Sequence, residues 1–275
     1  LTDRALNPLA EAYVRPFAVA WLTDYFVTEN RDNGTNATAT ALGETEDPAG
    51  SGMWSGYGRG NLSSTLDLDY WSFEGQAGDL LTVAAEYPDG IPTYTRQQYS
   101  VYRPGGTLLG SFNTPYANTL TYTAQSAPMT LPESGRYTVR VAKVEDYQGE
   151  YRLRTTTVTP PVQMETEAND SPAAANALAF VEAAGLQSAQ MAGYVGQTDT
   201  NGDYFLMGTL LEQTEVRLTL RQPAISGLVA TMSIYTATGT LVTNGEAGAT
   251  SLTYVVNLGT ALYARVTAAS GRGLT

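Results

Sequence analysis

Short runs in which apolar and polar residues alternate dominate this chain. In the first half they are residues 80–83 (Leu-Leu-Thr-Val), 137–141 (Tyr-Thr-Val-Arg-Val) and 151–154 (Tyr-Arg-Leu-Arg). In the second half they are 216–220 (Val-Arg-Leu-Thr-Leu), 232–235 (Met-Ser-Ile-Tyr) and 263–266 (Tyr-Ala-Arg-Val). Arg140, Arg152, Arg217 and Thr219 each sit between apolar neighbours, so every run offers one face to a core and the other to water. Clusters of Gly, Asn and Pro separate the runs. The pattern predicts an all-β protein of antiparallel sandwiches rather than βαβ units. Residues 1–26 are different. Leu6, Leu9, Tyr13 and Phe17 have helical spacing, Pro16 interrupts it, and Phe17, Val19 and Trp21 alternate like a strand. The segment reads as a helix followed by a short strand, either the end of a preceding domain or an exchanged strand.

The chain also repeats itself. Asp69-Tyr70-Trp71-Ser72-Phe73 matches Asp203-Tyr204-Phe205-Leu206-Met207. Val101-Tyr102-Arg103 with Gly106-Thr107-Leu108-Leu109 matches Ile234-Tyr235-Thr236 with Gly239-Thr240-Leu241-Val242, and Arg140-Val141 matches Arg265-Val266. The offsets are about 125 to 135 residues and keep their order, the signature of two tandem copies. The first copy is placed at 27–158 and the second at 162–275, with Pro160-Pro161 stiffening the join. In the first, Arg140-Val141 leads to Gly149-Glu150-Tyr151-Arg152-Leu153, a closing strand. In the second, Gly273-Leu274-Thr275 stands where that strand should begin. The expectation is a longer polypeptide, or another segment that covers the open edge. Residues 44–62, rich in Gly and carrying Trp54 and Tyr57, read as a long loop special to the first copy.

Composition narrows the chemistry. The 275 residues include no Cys and no His, which excludes disulfides, thiolate chemistry, His-based triads and His-ligated metals. Fifteen basic against 27 acidic residues give a net charge of −12, and Lys143 is the single lysine. That balance argues against nucleic-acid binding, which needs clustered cations. No apolar run approaches the roughly 18 residues of a membrane span. Carboxylate chemistry, oxygen-ligated cations and binding surfaces remain. Glu44/Glu46 and Asp67/Asp69 are carboxylate pairs of the kind a glycosidase uses, but no cleft can be read from the sequence, and no catalytic residue is assigned.

One acidic cluster opens the second copy: Glu165-Thr166-Glu167-Ala168-Asn169-Asp170-Ser171. Glu165 and Glu167 fall on one side of an extended segment. If the loop Asp199-Thr200-Asn201-Gly202-Asp203 folds back on it, several carboxylates meet. Such a group repels itself unless a cation joins it, and calcium takes six to eight oxygens in irregular geometry. The alternative is a solvated acidic linker followed by an Asn-Gly turn.

The order Glu-x-Glu-x-Asn-Asp-Ser, an Ala-rich stretch ending at Leu178, then Asp-x-x-x-Asp-Tyr-Phe at 199–205, resembles the bacterial pre-peptidase C-terminal domain. Ile234-Tyr235 with Gly239-Thr240-Leu241, and Leu262-Tyr263-Ala264-Arg265-Val266, fit its later strands. The resemblance covers about residues 27–158 and 162–275. It implies two tandem jelly-roll-like antiparallel β-sandwiches with a short N-terminal extension. It also implies a secreted or cell-surface setting, as an appendage of exported proteins. In clostridial collagenases such domains bind calcium at the linker and bind collagen. By motif, the calcium ligands carry over to Glu165, Glu167, Asn169, Asp170, Asp199 and Asp203. Asp199 departs from the pattern, because its spacing to Asp203 is one residue longer. The first copy departs further: Thr28-Glu29-Asn30-Arg31-Asp32-Asn33 lacks the paired Glu and adds Arg31. Glu29, Asp32, Asn33, Asp67 and Asp69 are its corresponding calcium candidates.

Aromatic residues give a second kind of site. Trp54, Tyr57, Tyr94, Tyr99 and Tyr116 are candidates for a platform that holds a glycan or a protein strand. The leading functional expectation is a non-catalytic, calcium-stabilised extracellular module for adhesion, spacing or substrate targeting. Its partner would be an extracellular protein or glycan polymer, or copies of itself. The alternatives are a structural subunit of a filament or surface layer built by β-strand exchange, and a carbohydrate-binding module of an exported hydrolase.

Overall fold

The structure is a computed structural model, and it describes residues 25–64, 66–87, 96–115, 122–145, 149–196 and 199–271. All regular elements among them are strands, apart from the 3-10 turns Asn36–Thr38 and Pro172–Ala174. The first copy contains β1 (Val27–Thr28), β2 (Thr40–Ala41), β3 (Thr45–Glu46), β4 (Met53–Leu62), β5 (Leu68–Gly75) and β6 (Leu80–Tyr87). It continues with β7 (Arg96–Tyr102), β8 (Leu108–Asn113), β9 (Tyr122–Gln125), β10 (Met129–Thr130), β11 (Gly135–Glu145) and β12 (Gly149–Val158). The second contains β13 (Gln163–Met164), β14 (Asn176–Ala177), β15 (Val181–Ala183), β16 (Leu186–Ser188), β17 (Met191–Ala192) and β18 (Asp203–Leu210). It continues with β19 (Glu215–Thr219), β20 (Val229–Thr236), β21 (Leu241–Asn244), β22 (Ser251–Val255) and β23 (Thr260–Ser270).

The first sandwich packs the sheet β1-β4-β12-β6-β10, with β3 and β9 attached, on the sheet β2-β5-β11-β7-β8. The long strands are antiparallel, as their alternation predicts. The short β1 and β2 instead run parallel to β4 and β5. One segment makes both, crossing from the first sheet to the second through the 3-10 turn Asn36–Thr38. The second copy has β14-β18-β23-β20-β21 in the same order as β2-β5-β11-β7-β8. Its other strands form three separate pairs, β13-β17, β15-β16 and β19-β22.

Trp71, Tyr99, Tyr137, Tyr151, Val139 and Leu153 are fully buried between the first two sheets. Their polar ends are satisfied inside. Trp71 Nε1 donates to the Tyr151 hydroxyl at 2.9 Å, and that hydroxyl donates to Asp69 Oδ2 at 2.7 Å. Tyr137 Oη donates to the Glu133 carbonyl at 2.6 Å. A buried aromatic holding its hydroxyl this way contributes area without a desolvation penalty. The second core is smaller, built from Phe205, Met207, Val216, Ile234, Val256 and Leu262. The outer faces repeat a further device: Arg140 lies over the Tyr102 ring at 5.6 Å and Arg265 over the Tyr235 ring at 5.5 Å.

Residues 53–62 are not the loop that the glycines suggested. They form β4, paired to β12 along its whole length. The reason lies in Gly56, Gly58 and Gly60, which occupy alternate, inward positions. A Cβ on Gly58 would stand 2.8 Å from the Trp71 ring, and one on Gly56 2.8 Å from Leu42 Cβ. Here the core is filled from the opposite sheet, so the strand's apolar alternation is written as glycine.

The two sandwiches meet through Val158, Val162, Met164 and Ala192, against Met53 and Leu80. Asp47 Oδ2 accepts from the Ala224 amide at 2.8 Å across the same junction. Replacing Gly58→Ala should overpack the first core and cost about 1–3 kcal/mol. The check is a urea titration of the first sandwich's unfolding, where an unchanged midpoint would contradict this packing.

Candidate cation-binding sites at the foot of each sandwich

Each copy buries a glutamate where the first short strand leaves its neighbour. After β1 pairs with β4, the Glu29 amide donates to the Arg59 carbonyl at 3.0 Å, and Glu29 comes opposite Gly60. After β13 pairs with β17, the Glu165 amide donates to the Ala192 carbonyl at 3.0 Å, and Glu165 comes opposite Gly193. Both carboxylates lie in the space that a side chain on the facing residue would need. A Cβ on Gly60 would be 2.6 Å from Glu29 Oε2, and one on Gly193 2.4 Å from Glu165 Oε2. These two glycines escape a motif reading, since only the strand register shows what they face.

The chain then brings an asparagine over each carboxylate. The Asn33 carbonyl accepts from the Tyr70 amide at 2.9 Å, and the Asn169 carbonyl from the Tyr204 amide at 3.0 Å. This bond ties the linker to the start of β5 and of β18, beside Asp69 and Asp203. Turned one way, the Asn169 amide nitrogen donates to Glu167 Oε2 and Asp203 Oδ1, each at 3.1 Å. Turned the other way, its oxygen faces those carboxylate oxygens, an arrangement that needs a cation or a proton on the carboxyl groups. Asn33 stands in the same relation to Asp69 Oδ1 at 3.1 Å.

Glu165 and Asn169 are fully buried, and Asp203 nearly so. Glu165 Oε1 accepts from the Tyr194 amide, while its Oε2 is buried and unpartnered. Asp199 Oδ1 accepts from the Gly202 amide at 2.8 Å, which curls the loop as a turn, and its Oδ2 is buried and unpartnered. Burial, then the neighbouring carboxylates, push Glu165 up to about 8 and Asp203 up to about 10. Burial and Asp199 also raise the exposed Glu167 and the partly exposed Asp170. The structure thus draws Glu165, Glu167, Asn169, Asp170, Asp199 and Asp203 into one electrostatic group.

The first copy gathers fewer charges. Glu29 Oε1 accepts from the Asn61 amide at 3.0 Å, and Oε2 is buried and unpartnered. Burial and Asp69 push Glu29 up to about 8. Burial raises Asp69 to about 6, opposed by the hydrogen bond from Tyr151. Asp67 takes part through its charge, but its Oδ2 is already engaged by the Ser63 amide and hydroxyl at 2.7 and 2.5 Å. Asp32 is exposed and stands outside the group. Arg31 occupies the place that corresponds to Glu167.

The donor set fits a hard cation: buried oxygens, no nitrogen or sulfur ligand, and excess negative charge. Among the described residues, no three carboxylates already stand in metal-ligating geometry. The orphaned Oε2 and Oδ2 atoms are the observation that supports the fit.

Two of the five aromatic candidates, Tyr99 and Tyr57, are buried and offer no surface for a platform. Tyr99 is a core residue, stacked on Phe112 at 5.2 Å with its hydroxyl donating to Gln97 Oε1 at 2.7 Å. Its position in the alternation of β7 points inward, which outweighs its value as a surface ring. Tyr57 is mostly buried on the outer face of β4, edge-on to Phe26 at 5.8 Å. Trp54 is 45% exposed. Tyr94 and Tyr116 lie outside the described residues, as do residues 1–24 of the N-terminal extension.

No family model and no curated protein matches this chain. Among solved structures, a periplasmic inhibitor of g-type lysozyme from Aeromonas hydrophila is 16% identical, with a TM-score of 0.26, over 43% of this chain and 96% of the inhibitor. The M60 catalytic domain of Clostridium perfringens ZmpB with its two CBM51 domains is 9% identical, with a TM-score of 0.24, over 80% of this chain and 33% of that one. The CUB1-EGF-CUB2 segment of human MASP-1/3 is 9% identical, with a TM-score of 0.22, over 82% of this chain and 99% of that one. At such scores these likenesses carry no argument about what the chain does.

Proposed function

We propose that the chain is a non-catalytic extracellular binding and spacer module whose two sandwiches are rigidified by calcium. Its resemblance to pre-peptidase C-terminal domains motivates this reading. The observation that carries it is the duplicated buried glutamate with an unpartnered oxygen, Glu165 Oε2 and Glu29 Oε2, each in a cluster with an asparagine and an aspartate, Asn169/Asp203 and Asn33/Asp69. In the second copy Glu165, Glu167, Asn169, Asp170, Asp199 and Asp203 would hold the ion. Glu29, Asn33, Asp67 and Asp69 would do so more weakly in the first. Calcium supplies the positive charge that lets these groups ionise together while buried. The chain's own part is mechanical. Glu165 and Asn169 belong to the linker segment and Asp203 to the body of the sheet, so neutralising the cluster fixes the linker to the sandwich. Glu165 also lies beside Arg154 of the first copy, which extends the ordering to the junction. The role would be to hold a surface at fixed distance for adhesion or targeting, toward an extracellular protein or glycan polymer.

Calcium at one hundred times its dissociation constant should stabilise a site by about 2.7 kcal/mol. A chain of this size should then melt about 5–11 °C higher with calcium than with EDTA. Identical melts would count against the reading. Asp203→Asn should abolish most of the gain, and Glu29→Gln only the smaller part. Gly193→Ala should also remove it, because the new methyl displaces Glu165 without changing any charge.

The pH dependence follows from the raised carboxyl groups. Between the ordinary carboxylate range and about 8, the unfolded chain has released the Glu165 proton and the metal-free folded chain has kept it. The native state therefore binds more protons, and stability falls as pH rises through that window. Melts at pH 5 and pH 8 in EDTA should show this fall, and calcium should reverse it, with affinity increasing toward pH 8. A flat metal-free profile would contradict the buried-cluster description.

A further inference from the structure

The apolar contact between the sandwiches uses residues of β4, β6, β12, β13 and β17. The other sheet of each copy, β2-β5-β11-β7-β8 and β14-β18-β23-β20-β21, keeps its outer face out of that contact. Across these two faces runs the same row of side chains. Arg140 on β11 pairs with Tyr70 on β5 and Ser100 on β7, and Arg265 on β23 pairs with Tyr204 on β18 and Ser233 on β20. Two residues further along β7 and β20 stand Tyr102 and Tyr235, paired with Leu108 and Leu241. At each of these positions the two copies carry the same residue. The core positions directly behind them have changed: Trp71, Tyr99, Val101 and Val139 of the first copy are Phe205, Met232, Ile234 and Ala264 of the second. A core accepts such exchanges while its volume is kept. Outward positions are ordinarily freer still, because substitutions there change stability little. Identity on the outer face above a changed core therefore points to what that face contacts.

The row is a flat surface with donors left over. Arg140 lies over the Tyr102 ring at 5.6 Å, and Arg265 over Tyr204 and Tyr235 at 5.2 and 5.5 Å. Arg140 Nη2 donates to Gln98 Oε1 at 3.2 Å and to Ser100 Oγ at 3.4 Å, while its Nε is buried without a hydrogen-bond partner. Beside it Thr138, paired with Tyr102 and fully buried, leaves its Oγ1 unpartnered. Arg265 is pinned through Nε to the Asn201 carbonyl at 2.7 Å and through Nη1 to Tyr235 Oη at 3.0 Å. A guanidinium has five N–H donors, so each arginine keeps some for an incoming group. We propose that these two faces bind a polysaccharide of uronic acid units. The tyrosine rings and the half-exposed Leu108 and Leu241 take the apolar C–H face of a sugar, and the fixed guanidinium takes its carboxylate. In a chain of net charge −12 the arginine is the one charged side chain of each row. A site present twice suits a ligand that repeats itself, which a polymer of identical units does and a single acidic peptide segment does not. This inference rests on the binding-module reading and names its partner, and it does not use the cation sites.

The test is binding of the full chain to immobilised polygalacturonate, in EDTA so that calcium cannot bridge two polyanions, with dextran and polyglutamate as comparison polymers. The expected result is binding to polygalacturonate alone, weakening as salt is added. Arg140→Gln with Arg265→Gln should weaken it at least tenfold, and either substitution alone should weaken it less, with circular dichroism unchanged. Should the arginine variants lose their fold, Leu108→Glu with Leu241→Glu decides instead. Those leucines are 51 and 48% exposed, so the new charges repel a polyanion without entering the core. Equal binding to dextran would overturn the acidic sugar, and equal binding to polyglutamate would overturn the glycan in favour of a peptide. A chain that binds none of the three, or folded variants that bind as well as the unsubstituted chain, would sink the proposal. The cation sites fail separately: identical melts with calcium and EDTA would leave binding in EDTA standing, and absent binding would leave a calcium-dependent melt standing.

Discussion

Strand β12 is what turns the first copy into a closed sandwich. It pairs with β4 on one edge and β6 on the other, and it brings Tyr151 and Leu153 into the core. Trp71 and Asp69 then depend on it through the Tyr151 hydroxyl. Among the described residues, the second copy shows the same strand order without a counterpart of β12. One of its layers keeps the order found in the first copy, and its other strands stand as separate pairs. Ladder edges and an apolar trough between β17 and β19 result from a single cause.

The carboxylate clusters follow from the same architecture. A short strand lies parallel to its neighbour, and the next residue, a glutamate, meets a glycine. That geometry admits a carboxylate where any side chain on the facing strand would exclude it. Burial then makes ionisation costly, and neighbouring carboxylates make it costlier. The two copies differ in the relief available. Asp69 accepts the hydroxyl of Tyr151 from β12, whereas the second copy has no described counterpart, and Asp203 is raised further than Asp69. The closing strand and the acidic cluster are thus linked: the trough between β17 and β19 is lined in part by Glu165 and Asp203.

Much of this was legible in the residues. Alternation along 137–141, 151–154 and 263–266 marks half-buried strands, because a pleated strand has a period of two. The order of the repeated motifs coincides with the repeated order of strands, and Glu165, Asn169 and Asp203 are conspicuous as an acidic set. Tyr99 and β4 were not legible. Tyr99 carries the same side chain whether it packs in a core or on a surface, and only the phase of its strand decides. Strand β4 hides its inward positions as Gly56, Gly58 and Gly60, whose meaning depends on Leu42 and Trp71 across the core.

The sequence by itself determined the all-β class, the duplication, the exclusion of thiol and imidazole chemistry, and which carboxylates stand close along the chain. These are local or compositional properties. Tertiary structure decided which oxygens are left without partners, which glycines make room for a glutamate, and that a trough separates β17 from β19. Those are relations between segments far apart in sequence, fixed by strand register and by the distance between packed sheets, and no pattern along one segment contains them.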